Sequence, residues 1–118
     1  MTQSPRRGEV LRVRLDPTKG SEQAGERPAL VISPDLINEH SPVILVAAIT
    51  SRKTERVFPF DVLLQPPEGG LSVRSKILLL HLRSADKCRI TGRYGEVSEE
   101  TMHKVEEAIR VVTGLEAI

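Results

Sequence analysis

Apolar and polar residues alternate from Glu9 to Asp16, with Leu11, Val13 and Leu15 on one side and Arg12 and Arg14 on the other. That period of two predicts a half-buried strand. Asp16 to Glu26 carries no apolar period and holds one proline, two glycines and mostly polar residues, so it reads as a long loop. Arg27 to Ser33 returns as a strand with Pro28 at its start or on an edge, since proline has no N–H to give a ladder. Ser33-Pro34-Asp35 has the look of an N-cap, a proline at the first helical position and an acid in the first turn, predicting a short helix to about Glu39. Val43 to Ile49 is a continuous apolar run of strand length, hence a central buried strand. Phe58 to Leu64 is a strand interrupted by Pro59, on an edge or bulged. Pro66 to Gly70 is a turn, and Leu71 to Arg83 contains a buried strand around Ile77-Leu78-Leu79-Leu80. A short strand is expected over Arg93 to Val97. Ser98 then caps a helix with Glu99 and Glu100 in its first turn, Met102, Val105, Ile109 and Val112 on one face, and Gly114 as the stop.

Several short strands, irregular connections and one terminal helix argue against a doubly wound sheet, which repeats strand and helix in turn. The pattern predicts a mainly β fold: a small, curled, mostly antiparallel barrel packed by a C-terminal helix. The 118 residues are enough for one domain, 1–118, with 1–7 as a flexible start. Aromatics are only 3% of the chain, so the core must be aliphatic. A single cysteine, Cys88, excludes an internal disulfide and fits a cytoplasmic location, and it reads as a small core or half-buried residue. No apolar run approaches the ~20 residues of a membrane span, and no signal peptide is visible.

The net charge of +1 conceals an uneven distribution. Arg74 to Arg93 holds six basic residues against Asp86 alone, whereas Tyr94 to the end holds Lys104 and Arg110 against six glutamates. Either a basic face for an anionic partner or a merely dipolar surface accounts for this. Metal chemistry finds no support: His40, His81 and His103 lack ligand spacing, and the carboxylates are not clustered. Lys19-Gly20-Ser21 lacks the upstream glycine of a phosphate loop, and no nucleophile elbow is present. What remains is Arg27 opening a strand after the long loop, Thr50 and Ser51 ending the apolar run, and Ser21 and Glu22 within the loop. Arginine, hydroxyls and backbone N–H groups suit a phosphodiester. Taken alone, the same residues fit a surface ion pair, a strand end and a solvated loop at least as well.

Gly8-Glu9-Val10 followed by Asp16-Pro17-Thr18-Lys19-Gly20-Ser21-Glu22-Gln23-Ala24-Gly25-Glu26-Arg27-Pro28 resembles the start of the MazF/PemK (Kid) toxin family. Ala48-Ile49-Thr50-Ser51, Pro59-Phe60-Asp61-Val62 and Ile77 to Arg83 with Asp86-Lys87 continue the resemblance in order, so that it spans about Gly8 to Gly114. Two positions depart from the pattern: Arg74-Ser75 stands where Asp-Ser or Asp-Gln is common, and His81 where many members carry glutamine.

The resemblance implies an SH3-like barrel of the CcdB/PemK kind, a homodimer, and a metal- and cofactor-free endoribonuclease cutting single-stranded RNA at short sequences. Its partner would be a MazE-type antitoxin that lays an acidic and apolar segment along the RNA groove. The catalytic arginine and threonine of the family fall on Arg27 and Thr50. Substrate contacts are expected from Lys19, Ser21, Glu22, Gln23, Ser51, Lys76, His81 and Arg83. Two other readings use the same fold: a CcdB-like gyrase poison and a non-catalytic RNA-binding barrel. The first relies on an aromatic-Gly-Ile ending, whereas this chain ends Glu116-Ala117-Ile118 and has no tryptophan.

Overall fold

A computed structural model describes residues 3–15 and 25–117. Six strands form a single antiparallel sheet: β1 (Glu9–Leu15), β2 (Gly25–Val31), β3 (Val43–Thr50), β4 (Asp61–Leu64), β5 (Ser75–Asp86) and β6 (Ile90–Glu96), in the spatial order β4-β5-β3-β2-β1-β6. Two helices complete it, α1 (Asp35–His40) and α2 (Glu99–Val112). The sheet curls like a barrel, but β4 and β6 are its two edges and share no ladder.

Curling buries both faces, which a simple alternation does not anticipate. In β1, Leu11 and Val13 are buried as the pattern predicts, but Val10 on the opposite face is fully buried as well. Val10, Leu30, Ala47, Ile49, Ile77 and Leu79 join Met102, Val105 and Ala108 of α2 in the larger core. Leu11, Val13, Ala29, Val31, Ile44, Val46 and Ala85 make a second cluster without the helix. Burying two thin aliphatic layers is how a chain so poor in aromatics finds enough apolar area to stabilise itself.

Several expected boundaries move for local reasons. Ser33 does not cap α1; Pro34 stands at that position and no side chain caps the helix. The Ser33 hydroxyl instead donates to Asn38 Oδ1 at 2.5 Å and accepts from the Leu45 N–H at 3.0 Å, which satisfies the fully buried Asn38. Strand β4 is only four residues long and begins at Asp61, because Phe58-Pro59-Phe60 turns before it and stacks its two rings 5.5 Å apart. In β5 the partners jump from Leu78↔Ala48 to Leu82↔Ala47, a bulge that puts Leu80, expected in the core, 62% exposed. In β3, Val43 and Leu45 are exposed rather than buried. Cys88 is exposed. In the N-terminal segment the Arg7 N–H donates to Asp35 at 2.7 Å and its Nε to the Ile32 carbonyl at 2.9 Å.

The terminal helix follows its sequence signals. The Ser98 hydroxyl accepts the Thr101 N–H, and Met102 and Val105 are buried, with Ile109 and Val112 packed at the margin. The 3₁₀ turn Glu68–Gly70 ties this helix to the sheet. The Glu68 carboxylate accepts from the Ser98 N–H (3.1 Å), from the Ser98 hydroxyl (3.0 Å) and from the Thr101 hydroxyl. Burial pushes the Glu68 carboxyl up, but these hydrogen bonds and the charge of Lys104 outweigh it and hold the group below its ordinary value. On the other side of the turn, Gly70 (φ +73°) lies so close to β6 that a Cβ would sit 1.9 Å from the Tyr94 carbonyl oxygen. Backbone packing therefore joins this turn to the far edge of the sheet.

Candidate RNA-binding cleft

Arg27 and Thr50 come together where two strands part. The β2–β3 ladder pairs Ala29 with Ala48 and runs inward to Val31 and Val46. Arg27 and Thr50 lie two residues beyond its outer end, on facing strands, and both line a cleft of about 440 Å³. Arg27 is held from behind by β1, where it pairs with Val13. Pro28 precedes the first β2–β3 pair, so its missing N–H takes nothing from that ladder.

Hydroxyls and cations share this cleft with Pro28, Ile49, Leu71 and Val73. Ser51 and Arg52 follow Thr50 on the same wall. The Thr50 Oγ1 accepts the Arg52 N–H at 3.1 Å, a local turn that sets where the chain leaves β3. The opposite wall comes from the segment after the 3₁₀ turn, Gly70 to Val73, and from Ser75, whose hydroxyl donates to the Val73 carbonyl at 3.0 Å. Tyr94 of β6 closes the end. Two arginines, four aliphatic hydroxyls and a phenol line the cavity, and among the described residues no carboxylate does. Such a lining stabilises an anion: arginine is a fixed cation with forked donors, and hydroxyls add neutral ones.

Among the expected site residues, the cleft gathers Arg27, Thr50 and Ser51. Lys19, Ser21, Glu22 and Gln23 lie outside the described residues. Lys76, His81 and Arg83 do not line it. Lys76 is 6% exposed, and its ammonium faces Asp61 and the Arg56 carbonyl. His81 is exposed beside the β5 bulge, and Arg83 lies further along β5. The basic run from Arg74 to Arg93 is divided between β5 and β6, which are not neighbours in the sheet. Arg93 is engaged by Glu9 at 2.5 Å and by Glu96 at 3.3 Å, and the bond to Glu9 raises its pKa. The sequence reading missed Arg52, Ser72, Ser75 and Tyr94. Tyr94 is the chain's one tyrosine, and that rarity was the only signal it gave.

Among the described residues no three His, Cys, Asp or Glu side chains are placed to hold a metal ion. In the same residues no helix is long and apolar enough to cross a membrane.

Fold and cleft together define a small barrel-like protein with a cleft of arginines and hydroxyls beside its sheet. The chain belongs to the PemK-like, MazF-like toxins of type II toxin–antitoxin systems, whose family model matches residues 6–113. It is 39% identical over 110 residues to the endoribonuclease EndoA of Bacillus subtilis (strain 168), covering 93% of this chain and 95% of that protein. The crystal structure of MazF (Form-I) from Deinococcus radiodurans superposes with a TM-score of 0.79 at 29% identity, covering 96% of this chain and 99% of that one. The MazE-MazF complex (Form-II) from the same organism gives 0.79 at 28% identity, covering 98% and 100%.

Proposed function

We propose that this toxin-family chain is an endoribonuclease that cuts single-stranded RNA at short sequences, without a metal, in the cytoplasm. The observation that carries the reading is the cleft shared by Arg27 and Thr50, which gathers arginines and hydroxyls. The relative EndoA is named an endoribonuclease.

In this reading the 2′-oxygen of the RNA attacks the adjacent phosphorus. A P–O2′ bond forms and the P–O5′ bond breaks, leaving a 2′,3′-cyclic phosphate and a free 5′-hydroxyl. The 2′-hydroxyl gives up its proton and the departing 5′-oxygen takes one. Negative charge gathers on the non-bridging oxygens during the attack, and Arg27 stabilises it. Thr50 donates to a phosphate oxygen or positions the sugar, and Ser51 extends that contact along the strand.

Two partners belong to the same reading. An antitoxin segment with acidic and apolar residues would occupy the cleft, as a mimic of RNA charge; a related MazF is seen with its MazE. A second copy of the chain would cover Leu36 and Ile37 of α1 and Val43 and Leu45 of β3, which are exposed.

The test is cleavage of a long single-stranded RNA in excess EDTA by the wild type and by Arg27→Ala. Cutting at a few recurrent sites by the wild type alone is the expected result. Substituting deoxyribose at a cleaved position should protect that position; equal cutting of the deoxy substrate would rule out the 2′-hydroxyl route.

A further inference from the structure

The ion pair between Lys76 and Asp61 is almost fully enclosed, with side chains 7% and 3% exposed, at 3.7 Å. Burying two charges is costly, and an apolar pair of similar volume is often as stable or more so. Stability of the fold therefore does not explain why this sequence keeps a charged pair here. What the two charges touch does. Lys76 Nζ donates to the Arg56 carbonyl at 2.6 Å, and Asp61 Oδ2 accepts the Phe58 N–H at 3.0 Å. Both bonds grip the backbone of the loop that leaves Thr50 and returns at Asp61. Arg74, two residues before Lys76, donates to a third loop group, the Thr54 carbonyl, at 3.4 Å. The loop also holds Lys53 at φ +53°, a left-handed conformation that a lysine keeps only where its surroundings impose it.

This loop begins with Ser51 and Arg52, which line the cleft. In the β3–β5 ladder Lys76 is the partner of Thr50. The backbone of Lys76 thus supports the strand end that carries Thr50, and its side chain holds the loop that continues from it. We propose that Lys76, with Asp61 and Arg74, is a positioning residue for RNA cleavage: it fixes the Ser51–Phe60 loop against the cleft and does not touch the RNA. The proposal rests on the reading of the Arg27–Thr50 cleft as the ribonuclease site. It assigns to this chain's own backbone two basic residues, Arg74 and Lys76, that a sequence reading gives to RNA phosphates.

The decisive variant is Lys76→Met/Asp61→Asn, which removes both charges together and leaves no buried ion unpaired. On a single-site RNA substrate, kcat should fall roughly 10- to 100-fold, as a small misplacement of a reacting group does, while KM changes by no more than about threefold for a site still electrostatically complete. Hydrogen exchange of the amides of residues 51–60 should accelerate, with those of β2 and α2 unchanged. A KM rise with kcat unaltered would instead mark Lys76 as an RNA contact and overturn the proposal. A folded double variant with wild-type kcat, or with wild-type exchange across the loop, would also overturn it. Should the double variant not fold, Arg74→Ala releases the exposed Thr54 tether without leaving a buried charge; wild-type kcat and wild-type exchange over 53–56 in that variant overturn the proposal. Failure of the underlying reading shows itself separately, as absence of cutting by the wild type. The exchange measurement tests the loop tether in either case.

Discussion

Two of the clefts on this molecule are of nearly equal size and carry different chemistry. One, of about 440 Å³, holds Arg27, Arg52, hydroxyls and Tyr94. The other, of about 420 Å³, lies between the chain's start and the beginning of α2 and holds Glu9, Glu96, Glu99 and Glu106 against Arg6 and Arg7. Volume does not distinguish them. Charge does: the glutamates of the second repel a polyanion, and its arginines are engaged in the fold, Arg7 with Glu106 at 3.2 Å and Arg6 with Asp35 at 3.7 Å. The second cleft is a seam that ties the N-terminal residues to the helix. The first is where a loop departs from a sheet whose ladder has just ended, so its polar side chains face a cavity.

The largest expected effect breaks that contrast at its active end. Arg27→Ala should lower the rate of RNA cleavage about 10²–10³-fold, checked by single-turnover kinetics on protein that a thermal melt shows to be folded. A rate within a few-fold of wild type would remove Arg27 from the reaction.

Next is the wall that the cleft shares with the closing turn. Gly70→Ala places a Cβ against the Tyr94 carbonyl oxygen and asks alanine to adopt φ +73°. Backbone must move, at a cost of about 1–3 kcal/mol, visible in denaturant unfolding. Because Gly70 and Tyr94 both line the cleft, cleavage should suffer in the same variant.

The acidic cleft supplies the control. Arg7→Ala removes a half-buried donor to the Ile32 carbonyl and the ion pair with Glu106. A loss of about 1–2 kcal/mol is expected, with kcat/KM for RNA unchanged at a temperature where the variant is folded. A matched loss of activity would show that the two clefts do not work independently.

The smallest effect is at the cap. Glu68→Gln should cost about 1 kcal/mol at neutral pH by weakening charge-assisted bonds to Ser98 and Thr101. Its pH dependence has a definite sign. The folded-state pKa of Glu68 is depressed below its ordinary 4.5. Its contribution is therefore complete above that value and is lost as pH falls through the folded pKa. Melts of wild type and Glu68→Gln should separate at neutral pH and converge in acid; separation that grows on acidification would contradict the assignment.

Particular elements show how far local information reaches. The α2 helix is legible because its signals are local: a serine cap, acids in the first turn, an apolar stripe and a terminal glycine all fall within one segment. The strands carrying Leu11 and Val13, Leu30, Ile49 and Ile77 were legible for the same reason, though not the burial of Val10 or the exposure of Leu45. Arg27 was singled out through the long family-like segment around it and Thr50 through the shorter Ala48–Ser51 match, rather than through their own chemistry; the structure brings the two into one cleft. Leu80 was misplaced because a bulge shifts the strand against its partner, and nothing within β5 announces the bulge. Tyr94 and Ser72 were not seen in the cleft because β6 and the segment after the 3₁₀ turn reach it only when the sheet curls.

By itself, then, the sequence determined which segments would be strands or helix, that the core would be aliphatic, and to which family the long motif points. Those depend on period, capping and residue type, all of which act over a few positions. The tertiary structure decided which charges are enclosed in the fold and which line a cavity. Lys76 and Arg27 are indistinguishable as basic residues at the starts of strands. One is turned inward onto Asp61 and the Arg56 carbonyl, and the other lines the cleft. The electrostatic role of a cation is set by its distance from partners far away in the chain, and only the folded sheet defines those distances.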